Sequence, residues 1–369
     1  FRPLAWSVPL PEIRCGLFNL RERVDLARPG GGLLALRPGL APLVRAPGWR
    51  GLGDEGEPAG RRLWLAGRLA PDCGLTTALL AAAAAGDFAL SDGAGLLALA
   101  AGADTGGSAA RSWRTWAAGV FGSGSGTGEV PDWVAPIPES WTELRVESDL
   151  VWRCPRGSAA KPPAVLPPAL GWVWDLVPRT AAAIAADAAA VRGKEWHRHP
   201  FGLSADPAAA EPAWCRPTRL EPAPAPIRAA VTLRGDHEML LGPGVDLIAV
   251  TVVDTSHGPV ILDREVAVGA HVYLAGPLYV GPGSLIKPGA VIHGESSFGV
   301  GNRLAGEIGE STFGDFTNKQ HEGFIGHAAL GSWINLGALT TCSDLKNNYG
   351  PVRVDLGWGE IETGLRFVG

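Results

Sequence analysis

Residues 262–304 read LDREVAVGAHVYLAGPLYVGPGSLIKPGAVIHGESSFGVGNRL. Every sixth position is a large apolar residue: Leu262, Val268, Leu274, Val280, Ile286, Ile292, Phe298 and Leu304. In a chain that is 46% hydrophobic, eight such positions in one phase arise by chance with a probability of about 0.002. Two positions before each stand Val260, Val266, Val272, Leu278, Ser284, Ala290, Ser296 and Asn302, mostly small or β-branched, with Gly and Pro between. Neither a helix nor an alternating strand has a period of six. A hexapeptide supplies one short strand and one tight corner, and three such sides close a triangular coil. Stacked coils share parallel ladder bonds and turn the sixth side chain into the prism. The fold expected here is an all-β left-handed parallel β-helix. The alternative is an unrelated β-rich domain with a chance pattern.

The phase slips after Leu304 and resumes as Phe324, Leu330, Leu336 and Cys342. Two registers on either side of Glu307–Lys319 predict a loop or insertion that breaks the coil, and loops on a rigid solenoid are where sites sit. The Pro-rich stretch 206–226 reads as an interdomain linker. The expected domains are therefore 1–228 and 229–369.

The first domain reads as α/β. Ile13, Leu17, Leu20 and Val24 have helical spacing within 11–27. Residues 61–67 read as a strand, 75–85 as a helix, and 86–102, with its Asp-Gly, as a hairpin. Residues 143–152 suit one strand, and 172–177 read as strand-like before an alanine-built helix. Flexible or Pro-rich composition marks 103–168, including Gly122–Gly128, and 204–228.

Length and composition bound the function. A chain of 369 residues suggests two domains. Gly (51) and Pro (31) together are about 22% of it, near twice the usual share but below the low-complexity range. A net charge of −5 excludes a broadly basic nucleic-acid-coating surface. Cys15, Cys73, Cys154, Cys215 and Cys342 form no CxxC pair, which argues against a zinc ribbon or disulfide scaffold and for a reducing, cytoplasmic setting. No apolar run reaches membrane-spanning length. The start at Phe1 and the stop at Phe367-Val368-Gly369 read as a fragment lacking both ends. Only five of the 32 basic residues are lysine, Lys161, Lys194, Lys287, Lys319 and Lys346, and the first 160 residues contain none.

Several strings are specific enough to compare with a family: 343–354 (SDLKNNYGPVRV), 317–327 (TNKQHEGFIGH), 276–281 (GPLYVG), 362–367 (ETGLRF) and 2–16 (RPLAWSVPLPEIRCG). Together they resemble the sugar nucleotidyltransferase family related to the bifunctional N-acetylglucosamine-1-phosphate uridyltransferase/glucosamine-1-phosphate acetyltransferase. The resemblance covers most of 1–27, 61–71, 170–190 and 230–369 and is densest in the last stretch. It implies a Rossmann-like nucleotidyltransferase domain followed by an acyltransferase β-helix that forms homotrimers. The implied substrates are a sugar phosphate, a nucleoside triphosphate with Mg²⁺, and acetyl-CoA, in nucleotide-sugar biosynthesis for the cell envelope. Neither nucleic acid nor membrane is an expected partner.

Residue by residue, the resemblance makes His321 the base of acyl transfer, with Phe324 where the family has Tyr. A near-neutral imidazole can accept the proton of an attacking amine. Asn335, Asn348 and Tyr349 match sugar- and acyl-contacting positions; Asn318 and Asn347 flank the same motifs. Lys319 and Lys346 are candidates for phosphate or pyrophosphate. Asn347-Asn348 equally suits a corner with positive φ. In the first domain Ser7-Val8-Pro9 replaces the family's Thr-Arg-Pro, losing one Arg. Arg14, Arg21 and Arg23 remain a candidate phosphate cluster, or a solvated helix face. Asp175 is a candidate metal or sugar ligand, or a helix-capping residue. His257, His271 and His293 read as solvent-facing, and Asp236 and His237 as loop residues. The His197/His199 pair lacks a third metal ligand nearby. Two rival readings remain open: acyl transfer alone with a degenerate first domain, and a non-catalytic sugar-nucleotide-binding scaffold.

Overall fold

The structure is a computed structural model. It describes residues 12–28, 33–34, 50–51, 62–65, 69, 73–92, 95–101, 141–145, 150–163, 170–196, 198, 215–248, 250–357 and 359–369. The Gly122–Gly128 stretch, Ser7-Val8-Pro9, His197 and His199 lie outside the described residues. Two compact units emerge, one within 20–170 and the other from 12–19 and 171–369. The position 228/229 lies inside the second unit, whose solenoid begins at Thr232.

Within 20–170 the described strands form one antiparallel sheet in the order Arg62–Leu65, Gly95–Ala101, Phe88–Asp92, Val151–Pro155, Trp141–Arg145. The hairpin expected at 86–102 is present, with its turn between Asp92 and Gly95. Residues 143–152 are not one strand but parts of two paired strands. The helix Cys73–Ala85 turns Leu75, Leu79, Ala82 and Ala83 toward Phe88, Leu90 and Trp152, and Phe88 stacks on Trp152 with centroids 4.1 Å apart. The one parallel pair described here is the short Leu33–Leu34 with Arg50–Gly51. A Rossmann-like parallel sheet is not among the described residues. The first helix also covers less than its periodicity suggested. It runs Leu20–Ala27, because Gly16 (φ 74°) and a Cys15–Phe18 bridge turn the chain just before it.

The second unit is a parallel β-solenoid of about five turns. Three sheets run along it, with seven, six and five strands. Side A carries Val260–Leu262, Leu278–Val280 and Ser296–Phe298; side B carries Ala267–Val268, Leu285–Ile286 and Arg303–Leu304; side C carries Tyr273–Ala275 and Val291–Ile292. Val268 pairs with Ile286 and Ile286 with Leu304, an eighteen-residue coil. All eight sixth-position residues are at most 2% exposed and belong to one core. The residues two before them, Ser284 and Asn302 included, are at most 1% exposed. Polarity is tolerated there because the corners offer partners. Asn302 Nδ2 donates to the Gly299 and Gly314 carbonyls, both at 3.1 Å, and its Oδ1 accepts the Thr317 N–H at 2.6 Å.

The predicted break at Glu307–Lys319 does not occur. Glu307–Gly309, Thr312–Phe313 and Asn318–Lys319 are ladder strands, so the coil shortens instead of looping out. Phe298 pairs with Phe313 and Leu304 with Lys319, fifteen residues on. The inward residues become Leu304, Ile308, Phe313, Lys319, Ile325, Leu330, Leu336 and Cys342. Ile325, and not Phe324, faces the core. A side of four or five residues keeps the stack whole because Phe313 fills the space. It packs edge-on against Phe298 at 5.0 Å.

Side A is covered from outside. The stretch 172–177, read as strand-like in the sequence, falls instead in a 3₁₀ helix, Val173–Arg179, since Asp175 Oδ2 accepts the Gly171 and Trp172 N–H groups at 2.8 Å and closes the turn. The alanine-built helix Thr180–Val191 follows and packs on side A. Its Thr180 hydroxyl meets that of Thr312 at 2.9 Å. Residues 12–19 are held there too. Asp187 accepts the Leu17 N–H at 3.0 Å, and Ser297 donates to the Gly16 carbonyl at 2.5 Å. The expected linker is partly structured, since Glu221–Pro222 pairs antiparallel with Leu240–Leu241 and Ala225–Ala230 is a short helix.

Burial on side A gives a pH prediction. Tyr279 is fully buried and donates to Asp263 at 2.7 Å. Burial holds its hydroxyl protonated well above the usual tyrosine range, with Arg198 pulling the other way. The folded state therefore keeps a proton that the unfolded chain releases near pH 10. This stability is complete below that pH and is lost as pH rises above it. In an ultraviolet titration of the folded protein, Tyr279→Phe should subtract nothing from the phenolate signal until the chain unfolds.

Candidate functional site

The last coils bring the sequence-predicted residues of the solenoid near one another, but in different roles. His321 follows side B at the corner leading to side C and is exposed. Lys319 is the surprise of this corner. It occupies an inward position above Leu304 and is 1% exposed. Its ammonium donates to the Ala305 carbonyl at 2.9 Å and the His321 carbonyl at 2.5 Å. Burial lowers its pKa from the ordinary lysine value, and Glu322 opposes that shift. The expected phosphate role is thus corrected, because a charge enclosed in the prism and spent on two carbonyls cannot reach an exposed anion. Lys319 instead pins the backbone of the His321 corner. Lys319→Met should keep the inward volume and cost at most about 3 kcal/mol, the range for leaving buried acceptors unpaired. Lys319→Ala opens a cavity as well and should cost more in the same denaturation series.

Asn318 and Asn335 stack on the outside of side B, Asn318 Nδ2 donating to Asn335 Oδ1 at 2.7 Å. Lys346 is exposed and donates to the Pro351 carbonyl at 3.0 Å. Asn347 is exposed, and Asn348 Oδ1 accepts the Gly350 N–H at 3.1 Å. The positive φ in this turn falls on Tyr349 (55°), not on either Asn. Tyr349 is 68% exposed.

The candidates of the first half separate. Arg14 lies in the solenoid unit, whereas Arg21 and Arg23 lie in the other. Arg14 is buried, donating to the Leu17 carbonyl at 2.6 Å and pairing with Asp315 at 3.2 Å. Arg21 is buried beside Asp25 at 3.6 Å, and Arg23 is buried on the same helix. The buried Arg21 and Arg23 are not a solvated helix face. Asp175 spends its carboxylate on two backbone N–H groups, the capping alternative. No group of three or more His, Cys, Asp or Glu suited to a metal occurs among the described residues. No helix among the described residues is long and apolar enough to cross a membrane.

One pair escaped the sequence reading. His327 sits at the corner from side C to side A with φ 50°. Its Nδ1 meets Asp344 Oδ2 at 2.7 Å, and its ring stacks on Phe367 with centroids 4.7 Å apart and planes 19° apart. The backbone closes the same contact, Val368 N–H bonding to the Asp344 carbonyl and Gly369 N–H to the His327 carbonyl, both at 3.0 Å. Gly326 is required beneath, since a Cβ there would lie 2.7 Å from the Asp344 carboxylate. Asp344 lies seventeen residues beyond His327, one late coil on, so the pairing is visible only once the coil length is known. Of the other histidines, His257, His271 and His237 are exposed, and His293 pairs with Glu307 at 3.0 Å on side C.

No family model and no curated protein matches the chain.

Proposed function

We propose that the solenoid unit is an acyltransferase of the left-handed β-helix type, transferring an acyl group from a thioester such as acetyl-CoA to the amine of an amino-sugar phosphate. The observation that carries this reading is an unbroken ladder ending in coils that hold imidazoles on open corners. His321, the base that the resemblance implies, is exposed while its carbonyl is fixed by Lys319. A rigid scaffold keeps the corner that carries such a group in place from one turnover to the next. The adjacent Asn318–Asn335 ladder offers amide groups for sugar hydroxyls. Exposed Ile248, Val250, Trp333, Ile334 and Leu339 suit further copies of the chain, in keeping with a homotrimer.

Nucleotidyl transfer is left outside this proposal, because Arg14 and Asp175 are committed to internal partners. The test is to incubate the whole protein with amino-sugar phosphates and acetyl-CoA, with and without nucleoside triphosphates and Mg²⁺, and to identify products by mass spectrometry. An acylated sugar phosphate is the expected product. A nucleotide-sugar without acylation would replace the reading. Absence of any product from a broad acceptor panel would favour the binding scaffold.

A further inference from the structure

We propose that His327, oriented by Asp344, is the proton acceptor of the acyl transfer. This inference rests on the acyltransferase reading above and assigns its chemistry to a residue other than His321.

Three features distinguish the two imidazoles. His321 has no side-chain partner among the described residues, so nothing fixes its ring or tautomer. His327 has both fixed. A carboxylate at Nδ1 places the proton there and leaves the Nε2 lone pair to accept another. Phe367 covers one flat side of the ring, and the Gly369 N–H bonds to the His327 carbonyl at 3.0 Å. A quarter of the side chain stays accessible, and Nε2 makes no hydrogen bond among the described residues. The third is place: a left-handed backbone (φ 50°), which the fold repeats at its corners, sets His327 at the turn from side C to side A. Glu295 and Glu310, on the preceding coils of the same corner, share this conformation. The Asp344 carboxylate, 2.7 Å away, is the charged group in contact with the imidazolium as it forms.

The step balances. The acceptor amine attacks the thioester carbonyl, a C–N bond forms, and Nε2 takes one proton from the nitrogen. The tetrahedral intermediate collapses, the C–S bond breaks, and the imidazolium returns its proton to the leaving sulfur. The products are an amide and a free thiol, with His327 regenerated. Asp344 keeps its charge throughout and acts as a positioning residue.

The experiment compares wild type, His321→Ala, His327→Ala, His327→Gln and Asp344→Asn as whole proteins, following thiol release from acetyl-CoA. Thermal unfolding and imidazole ¹⁵N shifts are recorded on the same samples. His327→Ala and His327→Gln should lower kcat by about 100- to 10,000-fold with little change in KM, the range for losing a general base. Asp344→Asn should lower kcat, shift the acid limb of the pH–kcat profile and change the His327 tautomer from its Nδ1–H form. His321→Ala, at the corner that the acyltransferase reading also uses, should lower kcat less than His327→Gln does. Loss of activity in His321→Ala with retention in folded His327→Gln overturns the proposal and leaves the acyltransferase reading standing. A wild-type Nε2–H tautomer at His327 also overturns it. No thiol release from wild type with any acceptor removes the acyltransferase reading and this proposal with it.

Discussion

Ile286→Asp will unfold the solenoid cooperatively, whereas the neighbouring Lys287→Asp will leave it folded. Ile286 is fully buried between Val268 and Leu304 in the side B stack. Successive strand residues face opposite ways, so Lys287 points outward and is partly exposed. A carboxylate at 286 meets aliphatic walls on every side and has no donor to satisfy it. Losing the isoleucine packing alone costs about 2–5 kcal/mol, and the buried charge adds to it. That sum is comparable with the whole stability of a domain, about 5–15 kcal/mol. Lys287→Asp should change stability by about 0.5 kcal/mol or less, as surface substitutions do. Urea denaturation followed by circular dichroism separates the two. Equal effects would mean that the inward phase is wrong.

Asp263→Ala should be the most damaging polar substitution, at about 3–5 kcal/mol. Asp263 is fully buried on side A. It accepts from Thr218 at 3.0 Å, from the Arg264 N–H at 2.7 Å and from Tyr279 at 2.7 Å, and lies 3.8 Å from Arg198. Arg198 also donates to Tyr279 at 2.5 Å and to the Leu17 carbonyl at 2.8 Å. One carboxylate thus ties residues 17, 198 and 218 to the coil and balances a buried guanidinium. Removing it takes away one carboxylate facing that guanidinium. The double variant Asp263→Ala/Arg198→Met should lose less than the sum of the single losses, because the two groups share one buried cluster. Additive losses would show that the pair is not coupled.

The sequence reading went furthest where one physical rule repeats. The six-residue period identified the solenoid and every inward residue from Leu262 to Leu304, because each must fill the same prism. It failed at the shortened coil. Ile308 and Phe313 restore the stack at spacings of four and five, which a fixed period reads as a break. The same slip disguised Lys319, whose residue type suggests a surface charge although its register makes it interior. Residues 172–177, Trp-Val-Trp-Asp-Leu-Val, read as strand-like, but Asp175 capping the preceding N–H groups favours a tight helix. At the candidate site, the corner of His321 was legible from its motif. The His327–Asp344 pair was not, because it depends on a seventeen-residue coil and on Phe367 folding back from a distant position.

The claim on which the site rests is that the coil shortens through 307–319, turning Lys319 inward and setting His321 and His327 on successive corners. Amide hydrogen exchange of the whole protein tests it most directly. The account predicts that Ile308, Phe313 and Lys319 amides exchange as slowly as those of Val280 and Ile286, as members of one ladder. Rapid exchange across 307–319 between protected coils on either side would contradict it, and would restore the inserted loop.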